Sequence, residues 1–234
     1  KFCSMGGCPG TRNLRQCAKC KTVYYCSKEC QRSHWLFHKS VCNHNIKAWT
    51  VRGNTEGQEP FLQKNLRHWV IRFQTTLLAT CIRALNLKSD WDRLDQVGLV
   101  ISGEPRPHPH PGSRWRITAA DVCSNDEITE ILQEAGLWEQ YRDEIFPLHN
   151  AARERLRNDS RERWDYVYAL TFAANDGKDK FEGEHSPTFR FTPFDVGRGV
   201  VDALPNEFFE VDWLQDLRSR IEEDRPMNNV PFAI

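Results

Sequence analysis

Cys17-Ala-Lys-Cys20-Lys-Thr-Val-Tyr-Tyr-Cys26-Ser-Lys-Glu-Cys30-Gln-Arg-Ser-His-Trp35-Leu-Phe-His38-Lys-Ser-Val-Cys42 is the stretch on which the reading of this chain turns. With Cys3 and Cys8 upstream, it sets eight thiol and imidazole side chains at the spacing C-x4-C-x8-C-x2-C-x5-C-x3-C-x7-H-x3-C. Eight such donors make two closed tetrahedral zinc sites, and closed sites are structural. Soft thiolates with one imidazole favour zinc over hard, oxygen-seeking cations. Cys17 and Cys20 form a knuckle that aims two sulfurs at one ion. Cys26 and Cys30, and His38 and Cys42, lie four apart, so helical turns deliver each pair on one face. Ser27 stands where the first of those turns needs an N-cap.

The segment is too short to hide a core. Its apolar content is little more than Val23, Tyr24, Tyr25, Trp35, Leu36, Phe37 and Val41. Domains below roughly 40 residues usually need metals, disulfides or oligomerisation. Zinc supplies on the order of 10 kcal/mol or more per site in such peptides. A disulfide framework fits poorly, because seven cysteines is an odd number and His38 fills the eighth position in register. No signal-peptide pattern is visible from Lys1 onward.

The run from Cys17 to Cys42 resembles a MYND-type zinc finger in its Tyr-Cys pair, its Cys-Gln step, the Trp three before the His and the final x3-Cys. The resemblance covers residues 3 to 42. It implies an interleaved order, with Cys3, Cys8, Cys26 and Cys30 on one zinc and Cys17, Cys20, His38 and Cys42 on the other. Spacing alone does not separate this from a sequential order. The first pair departs from the pattern, with four intervening residues where many members have two; Met5-Gly6-Gly7 would close that loop. The family implies a groove for short proline-containing peptides of partner proteins, with Gln31 and Trp35 in positions that line it. Ala18 stands where members carry a groove serine, which removes a hydroxyl. Trp35 has a second role open to it, as a cap on the small core. His34 is expected to be a surface histidine and not a ninth ligand.

The chain balances 32 basic against 32 acidic residues, but its parts do not. Residues 1–45 hold eight basic side chains and one acid, Glu29. Seven thiolates and two zinc ions bring that segment to about +4, and the remainder stands at −7. This favours acidic protein surfaces as partners, possible nucleic-acid contact being the weaker reading because no base-reading C-x2–4-C-x12-H-x3–5-H module is present.

Residues 46–59 read as a linker between the 1–45 finger and a 60–234 domain, itself of ordinary size for one core. Leu62, Leu66, Trp69, Val70, Phe73, Leu77, Cys81 and Leu85 recur at helical steps, and Cys81 is read as a packing residue. Strands are expected over Val97–Ser102, over Ser113–Val122 with Trp115, Ile117 and Ala119 alternating, over Trp164–Ala174, and over Thr188–Phe194 up to a break at Pro193. Ser124-Asn-Asp-Glu127 reads as a capping box. A second helix from Leu137 to about Arg157 is expected to bend near Pro147, with a solvated, mixed-charge face over Arg153–Arg163. Asp212-x-x-Gln215 opens a last helix. The fold class is therefore α+β: a small two-zinc cross-brace finger, then helices with a mostly antiparallel sheet.

Residues 60–234 carry no G-x-G-x-x-G, P-loop, H-E-x-x-H or G-x-S-x-G motif, nor the Asn-His-Ser-Cys motif of SET-domain methyltransferases. Asn175–Glu182 reads as a turn around Asp-Gly. Glu104-Pro-Arg-Pro-His-Pro-His-Pro111 reads as a polyproline-like turn and a candidate ligand for a proline-binding module, such as the finger of another copy; a metal held by His108 and His110 is the lesser alternative. No apolar run is long enough to span a membrane. Zinc thiolates with unpaired Cys81 and Cys123 indicate the cytosol or nucleus. The function expected is zinc-dependent protein interaction, as an adaptor in transcriptional or other intracellular regulation. An enzyme in residues 60–234, with the finger as docking accessory, is the alternative.

Overall fold

The longest apolar stripe in the sequence organises the larger part of the molecule. In the computed structural model, which describes residues 3–5, 8, 10, 12–20, 23–35, 38–39, 42, 61–159, 164–173 and 188–227, it forms a helix over Phe61–Ala84 (α2). The expected linker 46–59 and the Asp-Gly turn at 175–182 lie outside the described residues. Leu66, Trp69, Val70, Phe73, Leu77 and Cys81 of α2 are all buried. Burial pushes the Cys81 thiol well above its ordinary range, as expected of a packing residue and not a nucleophile.

The stripe lies on a four-stranded sheet of order β4-β3-β5-β6, built from β3 (Val97–Pro105), β4 (Trp115–Ser124), β5 (Trp164–Ala173) and β6 (Thr188–Gly197). β3 pairs antiparallel with β4 and parallel with β5, and β5 pairs antiparallel with β6. Side chains alternate across the sheet, so one strand serves two cores. Leu99, Ile101, Val167 and Ala169 face α2 and the last helix, α7 (Trp213–Glu222). Val100, Tyr168 and Leu170 face a second cluster that includes Ile128, Leu132, Tyr141 and Ile145. The parallel β3–β5 pair needs a long crossover, which α3 (Asn125–Glu134), α4 (Trp138–Gln140), a π-turn (Tyr141–Ile145) and α5 (Phe146–Asp159) supply. A five-residue α6 (Arg198–Asp202) follows β6. The expected order of helices and strands is the one found.

Three local expectations change, and the helix departs from its regular path beside Pro147 as expected. In β4 the partners of Ser102 and Gly103 are Ala119 and Ile117, so Thr118 is an extra, unpaired residue. Such a bulge shifts the alternation by one. Ala119 is therefore exposed, and Ala120 packs against the α2 core in its place. Pro193 does not end β6, which continues to Gly197 opposite Trp164. The strand lies at the sheet edge, where a missing N–H is tolerated. Pro147 sits in the first turn of α5, and the helical path widens to a π-turn just before it. Removal of the proline N–H from the i→i−4 ladder accounts for an adjustment there. The mixed-charge face after Arg153 is not simply solvated. Arg153 Nε and Arg157 Nε donate to the two oxygens of Asp165 at 2.5 and 2.9 Å, and Arg153 also donates to the Leu94 carbonyl. Asp165 is 2% exposed and stands in a strand, so these arginines neutralise a buried charge.

Capping follows the sequence closely. Ser124 and Glu127 form the full capping box of α3, and Asp212 accepts the N–H groups of Leu214 and Gln215 to start α7. Past the end of α7, Asp224 adopts the left-handed region at φ 53°. A carboxylate there takes both Arg72 Nε and Nη2 at 2.8 Å and the Ser113 hydroxyl. It thereby joins α7, α2 and the turn after β3.

Gly103 leaves no room for a side chain. A Cβ there would stand 2.1 Å from Trp115 Nε1 and 2.5 Å from the Arg116 carbonyl. Gly103→Ala should lower stability by about 1–3 kcal/mol, as overpacking against backbone does; a urea midpoint equal to wild type would contradict this packing.

Candidate metal centres

Two strands and one helix position the ligands. β1 (Arg15–Gln16) and β2 (Tyr24–Tyr25) form a short antiparallel hairpin, and α1 covers residues 28–35. The hairpin brings the Cys17–Cys20 knuckle back beside the chain, with Cys17 N–H donating to the Val23 carbonyl at 2.9 Å. Ser27 caps α1 as its position predicted, its hydroxyl accepting the Cys30 N–H at 3.1 Å.

The donors gather into two sets, Cys3, Cys8, Cys26 and Cys30 in one, and Cys17, Cys20, His38 and Cys42 in the other. Within each set the ligand atoms lie within 4.8 Å of one another. This is the interleaved order, and it settles what spacing left open. The second set is buried throughout, and the first is half-buried apart from Cys3. In the second, His38 presents Nε2, 3.3 Å from Cys20 Sγ.

The chemistry of these groups fits Zn²⁺. Hydrogen bonds from Cys8 and Cys30 push Cys26 up to about 12, and burial with the charges of Cys20 and Cys17 raises Cys42 further. Four thiols this close cannot all ionise unless a cation sits among them. Burial raises Cys17 in the same way, but the N–H groups of Cys20 and Lys19 aim at its sulfur and bring it below its ordinary value. Burial also lowers His38 to about 4, so the imidazole is neutral and able to ligate at pH 7. The first site has a further feature. Gly10 fits against its sulfurs so closely that a Cβ would meet Cys26 Sγ at 2.7 Å. The long first pair closes through backbone bonds from Cys3 to the Gly10 carbonyl and from Cys8 to that of Met5. Sequence reasoning passed over Gly10. The residues therefore hold two structural Zn²⁺, one with four cysteines and one with three cysteines and a histidine.

The model of the MYND finger matches residues 3–42. Residues 3–42 are a MYND finger. This finger is similar to a segment of histone-lysine N-methyltransferase ASHR1 of Arabidopsis thaliana, 44% identical over 36 residues, 15% of this chain and 8% of that protein. Dauer abnormal formation protein 25 of Caenorhabditis elegans is 46% identical over 43 residues, 18% and 10% of the two chains. N-lysine methyltransferase SMYD2-A of Danio rerio is 53% identical over 30 residues, 13% and 7%. The chain thus spans a tenth or less of the length of these relatives. No solved structure matches it. A MYND finger is a zinc-dependent protein–protein interaction module.

Of the residues expected to line a peptide groove, Trp35 and Gln31 are half-buried and one helical turn apart on α1, and Ala18 is exposed in the knuckle. The Lys19 ammonium lies 5.9 Å above the Trp35 ring, so knuckle and helix face a common space. Trp35 also packs edge-on against His38, with centroids 6.1 Å apart. Both of its expected roles are therefore physically available. His34 differs from expectation. It is half-buried, shares a 2.8 Å hydrogen bond with Tyr25 and stacks on His38 at 5.9 Å. Neither set needs it as a ligand. Its helix position gave no signal of this, because Tyr25 reaches it only across the folded hairpin.

Cys42→Ser should lower bound zinc from two to one per chain, and His34→Ala should leave both ions in place while costing about 1 kcal/mol of finger stability. Elemental analysis beside thermal melting reads both; loss of zinc in His34→Ala would make that residue a ligand.

Proposed function

We propose that the chain is an adaptor whose finger, within residues 1–45, docks a proline-containing segment of a partner protein on the surface bounded by Ala18, Gln31 and Trp35. The carrying observation is Trp35 itself, a half-buried indole packed edge-on against the zinc ligand His38. A flat aromatic fixed in this way offers a proline ring contact area with little entropy to lose. Gln31 supplies an amide beside it for a peptide carbonyl or N–H. Ala18 contributes surface without the hydroxyl that relatives of this finger place there, which shifts motif preference towards apolar neighbours.

The charge distribution supports acidic protein surfaces as the second determinant. Arg12, Arg15, Lys19, Lys28, Arg32 and Lys39 are all exposed on the finger. On this reading residues 46–59 link the finger to a scaffold over 60–234. The hollow beside α7, about 330 Å³, is lined by Asp212, Gln215, Arg218 and Glu222 at the surface and supplies no enclosed reaction site. Thiols kept for zinc favour a reducing setting, the cytosol or nucleus, for this work; no described helix is long and apolar enough to cross a membrane.

A proline-peptide array tests the groove. Trp35→Ala should weaken peptide binding by roughly 30-fold, the scale of an aromatic anchor, and Gln31→Ala by several-fold, both with two zinc retained. An array with no signal above background for the zinc-loaded wild type would remove the reading.

A further inference from the structure

The two zinc sites differ in a way that holding the finger together does not require. Every ligand of the set with His38 is buried, whereas Cys8, Cys26 and Cys30 of the four-cysteine set are half-buried. A hollow of about 640 Å³ opens at the start of α1, lined by Leu14, Arg15, Cys26, Ser27, Lys28 and Glu29. Cys26 therefore borders solvent, and no ligand of the set with His38 lines that hollow. Cys26 is also the hub of its own set. Its sulfur stands 3.5 Å from that of Cys8 and 3.5 Å from that of Cys30, and those two are 3.7 Å apart.

The reactivity of a cysteine towards oxidants follows its thiolate character and its exposure. Both favour the four-cysteine set. With zinc bound its sulfurs are all thiolates, and they carry one more negative charge than the sulfurs of the set with His38. Arg15 and Lys28, both exposed, outnumber Glu29 around the hollow, a balance that eases the departure of hydroxide there. The two cysteines outside the finger compete poorly. Cys81 is buried, and burial with the charges of Asp121 and Glu127 keeps the Cys123 thiol protonated.

We propose that Cys26 is a site of oxidation by peroxides, through which the chain gives up its four-cysteine zinc while keeping the other. The Cys26 thiolate attacks one oxygen of hydrogen peroxide. The S–O bond forms, the O–O bond breaks, and the hydroxide that leaves takes a proton to become water. The thiolate of Cys8 or Cys30 then attacks the Cys26 sulfur. The S–S bond forms, the S–O bond breaks, and the second hydroxide is protonated in turn. Two electrons pass from the thiolate pair to the peroxide. A disulfide is about 2 Å long, so closure asks these sulfurs to approach by about 1.5 Å. The four-cysteine set has then lost two ligands and releases its ion, and the set with His38 retains all of its own. This inference is independent of what the Trp35 face binds.

The test uses the full zinc-loaded chain, treated with less than one equivalent of hydrogen peroxide and then with an alkylating agent. Peptide mapping should find roughly 10-fold more disulfide at Cys26, joined to Cys8 or Cys30, than among Cys17, Cys20 and Cys42. A chromophoric chelator should register about one zinc per disulfide formed. A thiol reductant with added zinc should then restore two zinc per chain. Cys123→Ser should leave the rate of zinc release unchanged. Loss of the reaction in that variant would route oxidation through Cys123 and overturn the proposal. Disulfide spread evenly over the two sets overturns it, as does disulfide appearing first in the set with His38. Release of both ions for each disulfide also overturns it, as does oxidation of Cys26 with no zinc released.

Discussion

Zinc–thiolate bonding is the interaction on which the amino-terminal part of this molecule depends. Its apolar side chains are too few to offset the entropy of ordering forty residues. The two donor sets take the place of that missing interior. They are interleaved, so neither site closes without residues from both halves of the segment. The same bonding controls the surface, because Trp35 leans on the ligand His38 and Lys19 rides on the knuckle that carries Cys17 and Cys20. A face suited to recognition is thus a consequence of metal geometry and not of a separate core.

The larger part follows a different rule. Its sheet is covered on both faces, and the parallel β3–β5 pair forces a helical crossover between them. Two carboxylates enter it paired. Asp165 lies in β5 with Arg153 and Arg157 across it, and Asp224 accepts Arg72 and Ser113 from two other elements. Such pairs add less net stability than apolar packing would, but removal of one partner is severe. They act here as registers that fix which helix end meets which turn. The turn between β3 and β4 owes its order to side chains of the same kind, Arg106 and Arg114, which donate to the Ser113 and His108 carbonyls.

Legibility in the sequence tracked the range of the interaction. Cap residues were read directly, because Ser124, Glu127 and Asp212 act on backbone within three positions. The α2 stripe was equally plain, its period being set by local geometry. Misreadings came where a distant partner decided. Ala119 and Ala120 exchange faces because of a bulge that only the pairing with β3 reveals. Pro193 stays in a strand because that strand is at an edge. Arg153 looked like solvated surface until the buried Asp165, in the strand that follows α5, was placed against it.

The sequence by itself determined the metal, the number of sites and the presence of a MYND finger, because thiolate and imidazole donors at fixed spacing constrain chemistry irrespective of the rest of the chain. It also determined the order of helices and strands, since periodicity is local. Only the tertiary structure decided which sulfurs share an ion, that His34 supports the site through Tyr25, and that an arginine-tied turn presents its prolines outward. Those outcomes depend on distances across the fold, between side chains that separate elements bring together, and no local pattern encodes a distance of that kind.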